Sequence, residues 1–165
     1  MSERSRAVPE YRRWVETGAL VLTPGNLTDY PTIEADIKAD CARFDVKEIV
    51  FERFGAMHLA ANLAAAGLPA RVESKNAKVF TPPARDLEAR IKAKQLRHTG
   101  SSFLTWQVSN TCVERRRDGS LLPTKDGPQS PNKIDCVDAM LLALSAMLAT
   151  PTTPAYEPNI FFLEA

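Results

Sequence analysis

The sequence is short of the residues that mark several common chemistries. It has three cysteines, Cys41, Cys112 and Cys136, an odd number with no CxxC spacing. This pattern excludes a disulfide framework and a zinc ribbon, and predicts reduced, buried thiols in a cytosolic protein. The only histidines are His58 and His98. Neither has a ligating residue at i+3 or i+4, so both are expected to be structural. No GxxxxGK[ST] phosphate loop occurs, and Ser101-Ser102 lacks a GxSxG setting, so the chain is expected to carry no ATP chemistry of its own. The longest apolar run, residues 139–149, is broken by Ser145. It is about half of the ~20 residues a bilayer span requires, which points to a core helix and away from a membrane. The opening MSERSRAVPEYRRW is charged and lacks the apolar core of a secretory signal.

Charge of one sign is also scarce in excess. The net charge of +1 among 165 residues argues neither for nor against a nucleic-acid partner, because a basic face can hide inside a neutral total. Lys and Arg cluster within residues 85–97 and again at Arg115–Arg117. Solvated surface is the ordinary reading of such runs. Hydrophobic content of 44% and charged content of 25% are those of one soluble domain with a real core. The expected organisation is a domain over residues 1–150 and a proline-rich tail over 151–165, which ends in the apolar set Ile160, Phe161, Phe162 and Leu163.

The residues present alternate between helix and strand patterns. Tyr11 and Trp14 at i, i+3 predict a short amphipathic helix stopped by Gly18. Residues 19–23 read as a strand before the Pro24-Gly25 turn. Ile33, Ile37, Cys41 and Phe44 fall on one helical face and predict a helix over 32–44. A strand over 48–51, a helix over 56–66 and a strand over 70–73 follow, the order of a parallel α/β layer. Pro82-Pro83 is expected to open a helix over 84–94, with Leu87 and Ile91 inward. Residues 102–110 fit neither period. A hairpin is expected over 113–122, turning at Asp118-Gly119. An exposed, mobile linker is expected over 123–132. The last helix, 134–148, carries the stripe Ile134, Val137, Leu141, Leu144 and Leu148.

Three acids stand where chemistry could occur. Glu52 ends the strand EIVFE, and the crevice beyond the carboxyl ends of strands is where open α/β sheets bind ligands. A surface Glu capping the strand is the plainer alternative. Asp135 lies in the first turn of an apolar helix, where the helix dipole also favours an acid for stability alone. Asp138 is one turn further on. Two carboxylates on one face repel unless a cation lies between them, which favours a hard divalent ion such as Mg2+. Lys125 and Lys133 flank the linker and are placed to steady phosphate oxygens.

The motifs Tyr11…Trp14…Gly18, Leu22-Thr23-Pro24-Gly25…Asp29-Tyr30 and Ile49-Val50-Phe51-Glu52-Arg53 then take on a joint meaning. With Leu87-Glu88, Leu96-Arg97-His98, Trp106…Asn110, Asp118-Gly119, Pro123…Lys125 and Lys133-Ile134-Asp135…Asp138-Ala139…Ala143-Leu144, they form a collinear set from about residue 11 to 149. This set resembles the C-terminal nuclease domain of the large terminase subunit of HK97-like tailed phages. The resemblance implies a partial RNase H-like α/β fold, a mixed sheet with flanking helices. It also implies metal-dependent DNA endonuclease chemistry in viral DNA packaging.

By the same resemblance, Glu52 takes the strand-end position where Asp is usual, and Asp135 matches the helix acid of the Lys-Ile-Asp motif. These two become the catalytic pair, with Glu52, Asp135 and Asp138 as ligands of Mg2+ or Mn2+ and Lys125, Lys133 and Arg53 as nucleic-acid contacts. Cys136 stands where glycine is common. Upstream of this region the family domain has several strands, the first bearing another metal-binding Asp, and an ATPase motor before them. Here Met1 is followed almost at once by the Tyr11–Trp14 helix, so those strands and that acid are expected to be missing and the metal weakly held. The implied partners are double-stranded DNA, other terminase subunits and the portal, with no membrane and no ATP, in the cytoplasm of a bacterial host. Two other readings stay open. One is a non-catalytic prophage remnant or interaction module that pairs with another terminase chain; the other is a nucleic-acid-binding module built on the basic helix over 84–94.

Overall fold

A computed structural model of the chain describes residues 10–127 and 129–149. Six helices and four strands alternate over them. They are α1 (Glu10–Glu16), α2 (Tyr30–Arg43), β1 (Ile49–Glu52), α3 (Arg53–Ala65), β2 (Ala70–Glu73), α4 (Ala77–Lys92), α5 (Ser102–Ser109), β3 (Cys112–Arg115), β4 (Leu121–Thr124) and α6 (Asp135–Ala149). The architecture is mixed α/β, as expected. The expected strand over 19–23 does not form; that stretch is irregular and Leu22 is exposed. An apolar run of this length becomes a strand only when an edge is there to pair with.

β1 and β2 pair in parallel, with Ile49 opposite Ala70 and Glu52 opposite Glu73, and the crossover between them is α3. Parallel strands need such a connection, which is why the helix lies between them in sequence. Both strands therefore end at the same rim. α3 starts with a kink: Phe54 is extended and Gly55 has φ +81°, so regular helix begins after Gly55. A side chain at that φ is strained, and glycine lets the chain turn directly off the strand end. β3 and β4 form the expected hairpin, antiparallel, with Arg115 opposite Leu121 and Gly119 at φ +79° in the turn. The expected linker starts later than the sequence suggests, because Pro123 and Thr124 belong to β4 and Pro123 is buried.

The core is made where α6 and α4 pack together and against β1 and β4. Phe80, Val137, Leu141 and Leu142 are its buried centre, and Val50, Val79, Leu87 and Leu122 pack against them. Leu148, assigned to the inward stripe by period, is 46% exposed, and Leu142 takes a buried place instead. The buried face of α6 ends at Ala146, and Met147 beyond it is 45% exposed. α4 begins seven residues earlier than its prolines suggest. Asn76 caps it through a bond from the Val79 N–H (3.0 Å), and Pro82 and Pro83 lie inside the helix. Two ladder bonds are lost there. The Thr81 hydroxyl, bonded to the Ala77 carbonyl (2.5 Å), accepts from the Leu121 N–H (2.9 Å) and ties the same turn to β4.

A second cluster anchors the N-terminal end of the described chain to α5. Trp14 is buried against Phe103 (5.0 Å), Trp106 (5.1 Å) and Tyr11 (5.5 Å), and its Nε1–H donates to Ser102 Oγ (3.0 Å). The ambiguous stretch 102–110 is thus helix α5, whose aromatics face α1. α2 forms nearly where its period predicts, capped by Asp29, yet none of its residues is fully buried and Phe44 is 60% exposed. Of the thiols expected to be buried, Cys112 is exposed while Cys41 and Cys136 are half-buried, all three free. Among the described residues no helix is long and apolar enough to cross a membrane. The tail over 151–165 lies outside the described residues.

Phe80 is the ring on which the α4–α6 contact closes. Phe80→Ala is expected to cost about 3–5 kcal/mol, the usual range for emptying a buried aromatic site. Chemical denaturation followed by far-UV circular dichroism measures it.

Candidate functional site

The parallel pairing of β1 with β2 brings the residues just beyond both strands to one rim. Glu52 closes β1; Ser74, Lys75 and Asn76 follow β2. α6 packs on β1 with its N-terminus at that rim. Glu52, Lys75, Lys125, Asn132, Lys133, Asp135 and Asp138 consequently line one open cleft of about 420 Å3, floored by Leu122, Pro123 and Ile134. Eighty-three residues separate Glu52 from Asp135 in sequence, and only the sheet crossover and the α6 packing unite them. Arg53, expected among the nucleic-acid contacts, faces a neighbouring cleft of about 540 Å3 instead. That cleft also includes Phe54, His58 and Ser74 and shares Glu52 and Lys75 with the first.

The start of α6 is held from α5. Gln107 is buried, and its Oε1 accepts the Cys136 N–H at 2.7 Å. Asn110 Nδ2 donates to the Lys133 carbonyl (3.2 Å). A buried amide facing one of the unpaired N–H groups of a helix start fixes where the first turn begins. That first turn carries Asp135. Gln107 escaped sequence reading because the period of its neighbours was ambiguous and a lone Gln carries no pattern.

The three acids sit in different environments. Asp135 is exposed at the cleft rim. Glu52 is half-buried and makes no side-chain hydrogen bond to the start of α3. Asp138 points inward. Its Oδ2 receives Lys75 Nζ at 2.5 Å, and its Oδ1 is buried with no partner among the described residues. Burial pushes the Asp138 carboxyl above its ordinary value of 3.8; the Lys75 ammonium pulls it back, and the charges of Glu52 and Asp135 push it up again. Burial also raises the neighbouring Cys136 thiol, helped by Asp135. Lys125 Nζ donates to the Ser130 carbonyl at 3.1 Å.

Lys75 is the site residue that the sequence did not disclose. The rule that selected Glu52, a polar residue just past a strand's carboxyl end, applies equally to Lys75 once residues 70–73 are known to pair beside β1. The carboxylates of Glu52, Asp135 and Asp138 are oxygen donors of the kind a hard divalent cation takes. The spacing is less complete: among the described residues no group of three Asp, Glu, His or Cys side chains stands close enough to hold an ion.

The chain, a mixed α/β domain with a charged cleft at the carboxyl rim of its parallel strands, has relatives among known proteins. The family model described as the terminase large subunit endonuclease domain matches residues 1–150. The chain belongs to that family. It is 31% identical over 150 residues to Protein YmfN of Escherichia coli, covering 89% of this chain and 32% of that protein. It also superposes on the crystal structure of the HK97 bacteriophage large terminase with a TM-score of 0.76 and 27% identity, over 87% of this chain and 30% of that one. The chain spans about a third of the length of each.

The raised Asp138 carboxyl has a consequence for stability. A folded value above the unfolded one means that the native state binds this proton more tightly, so ionised Asp138 subtracts stability at neutral pH. The subtraction is relieved as pH falls through the raised value, and the relief is complete below 3.8. The melting temperature of the wild type relative to Asp138→Asn is expected to rise as pH is lowered from about 7 toward 4. The opposite slope would mean that the Lys75 pair outweighs burial.

Proposed function

We propose that the chain is the metal-dependent DNA endonuclease unit of a phage or prophage large terminase, cutting DNA during packaging, with Glu52 and Asp135 as its catalytic acids. The observation that carries this reading is the convergence of Glu52, Asp135 and Asp138 on one cleft, in a chain whose family is that of terminase endonuclease domains. The fold is read as a partial RNase H-like one and the functional unit as residues 1–150, followed by the proline-rich tail.

Glu52 and Asp135 line the same cleft, one at the end of a strand and one at the start of a helix, and Asp138 lines it with them. Mg2+ or Mn2+, when bound, would supply activation of water and neutralisation of charge at the phosphodiester. Lys125 and Lys133 line the same cleft, and ammonium groups hold backbone phosphate oxygens by charge. Arg53 extends the basic contact into the neighbouring cleft. Glu in place of the family's Asp carries its carboxylate about one methylene further, and such displacements slow positioned chemistry. Weak metal affinity and slow cleavage by the chain alone are therefore expected. Double-stranded DNA is the substrate in this reading, other terminase subunits and the portal are the partners, and the host cytoplasm is the place.

The second reading, a non-catalytic module that pairs with another terminase chain, draws on the sheet itself. β1 and β2 form a sheet of only two strands among the described residues, so each keeps one edge without a strand partner. Such edges accept further strands.

Plasmid nicking with Mn2+ decides between them. Wild type is expected to nick slowly, and Asp135→Ala to be slower by more than the roughly 10–100-fold that loss of a ligand's hydrogen-bonded neighbour costs in metal enzymes. Failure of the folded wild type to nick, with no rise in its melting temperature on adding Mn2+, would sink the nuclease reading and leave the pairing module.

A further inference from the structure

We propose that Lys75 is a resident counter-cation of the acidic cleft: its ammonium occupies the place on Asp138 that a divalent ion would take, and ion binding requires Lys75 to withdraw. This deepens the metal reading above and rests on it. The argument begins with position. Lys75 follows β2 at the rim where Glu52 follows β1, so the sheet register sets a cation directly across from the acids. Its Nζ lies 2.5 Å from Asp138 Oδ2, with the two side chains only 22% and 13% exposed. The ammonium also lies 5.9 Å from the centre of the Phe80 ring, which favours keeping it where it is.

The state of Asp138 follows from that contact. One oxygen is committed to the ammonium, and the other is enclosed and unpartnered. A carboxylate in that state has little to offer an incoming ion. Mg2+ and Mn2+ are held by oxygens, and an ammonium contributes none while adding a like charge to theirs. The pair therefore keeps an acidic cleft stable while it is empty, at the expense of its affinity for metal. Lys75 has a way out. Its four-carbon stem is flexible and its three N–H donors are not geometrically fixed, so it can reorient toward Glu52 in the same cleft or toward a phosphate oxygen of arriving DNA. Ion loading and DNA arrival then favour one another, because each draws on the same displaced ammonium.

Lys75 is a positioning residue in this scheme, and its signature is a gain rather than a loss. The test titrates the full chain with Mn2+ alone, without DNA, by calorimetry at fixed low ionic strength. Lys75→Met is expected to bind Mn2+ at least about tenfold more tightly than wild type, the scale on which one adjacent charge shifts an equilibrium at a carboxylate. Lys75→Arg, which keeps the charge, should stay near wild type. The gain should vanish when Lys75→Met is placed on an Asp138→Asn background, since the two residues form one coupled pair. A purely structural Lys75 would loosen the cleft and weaken binding, the opposite sign. Equal or weaker Mn2+ affinity in Lys75→Met overturns the proposal while leaving the metal reading intact. Absence of binding in every folded variant removes the metal reading and this proposal together. If Lys75→Met melts below the assay temperature, Lys75→Gln is titrated instead under the same criterion.

Discussion

Everything functional in this chain depends on how α6 lies against β1 and α4. The contact is apolar: Val137, Leu141 and Leu142 close on Phe80, with Val50 and Leu122 at the margin. It has no chemistry of its own. It does fix the rotation of α6 about its axis, and with it the direction of Asp138, which lies next to Val137 and is drawn inward beside the core. Asp135, one turn earlier, is left at the rim. The geometry of the acidic cleft is thus a by-product of hydrophobic packing, which is non-directional in energy but demanding in shape.

Two further constraints sharpen that placement. Gln107 holds the Cys136 N–H from below, so the helix start cannot slide along its axis without leaving a buried amide unpaired. Thr81 binds α4 to β4 at the turn where Pro82 and Pro83 break the helix ladder, which keeps the cleft floor in register with the helix carrying Phe80. Both are polar contacts within largely apolar surroundings. Their effect is on where the acids stand more than on how much stability is gained.

The cleft sets opposing influences on the Asp138 carboxyl, with burial prevailing. Burial and two neighbouring carboxylates disfavour an ionised Asp138, and the Lys75 ammonium favours it. A site poised in this way responds to whatever next enters it, whether a divalent ion, a phosphate or a proton. The relation to terminase endonuclease domains gives the balance its context.

Much of this was legible in the sequence. The 3.6-residue stripe of α6, the parallel strands at 49–52 and 70–73 and the hairpin at Gly119 follow from local pattern, because each reflects which side of one element meets the core. The resemblance carried by the Lys133-Ile134-Asp135 motif and the strand Ile49–Glu52 reached the family, and both acids do face one cleft. Local pattern failed where a partner elsewhere decided the outcome. Residues 19–23 look like a strand yet pair with no other strand. Pro82-Pro83 looks like a helix start, yet Asn76 begins the helix earlier and Thr81 steadies its broken turn. By itself the sequence determined which residues are acids and on what kind of element each stands. Only the tertiary structure decided that Lys75, 63 residues before Asp138, lies within hydrogen-bonding distance of it. Strand pairing and helix packing are long-range contacts, and no local period encodes them.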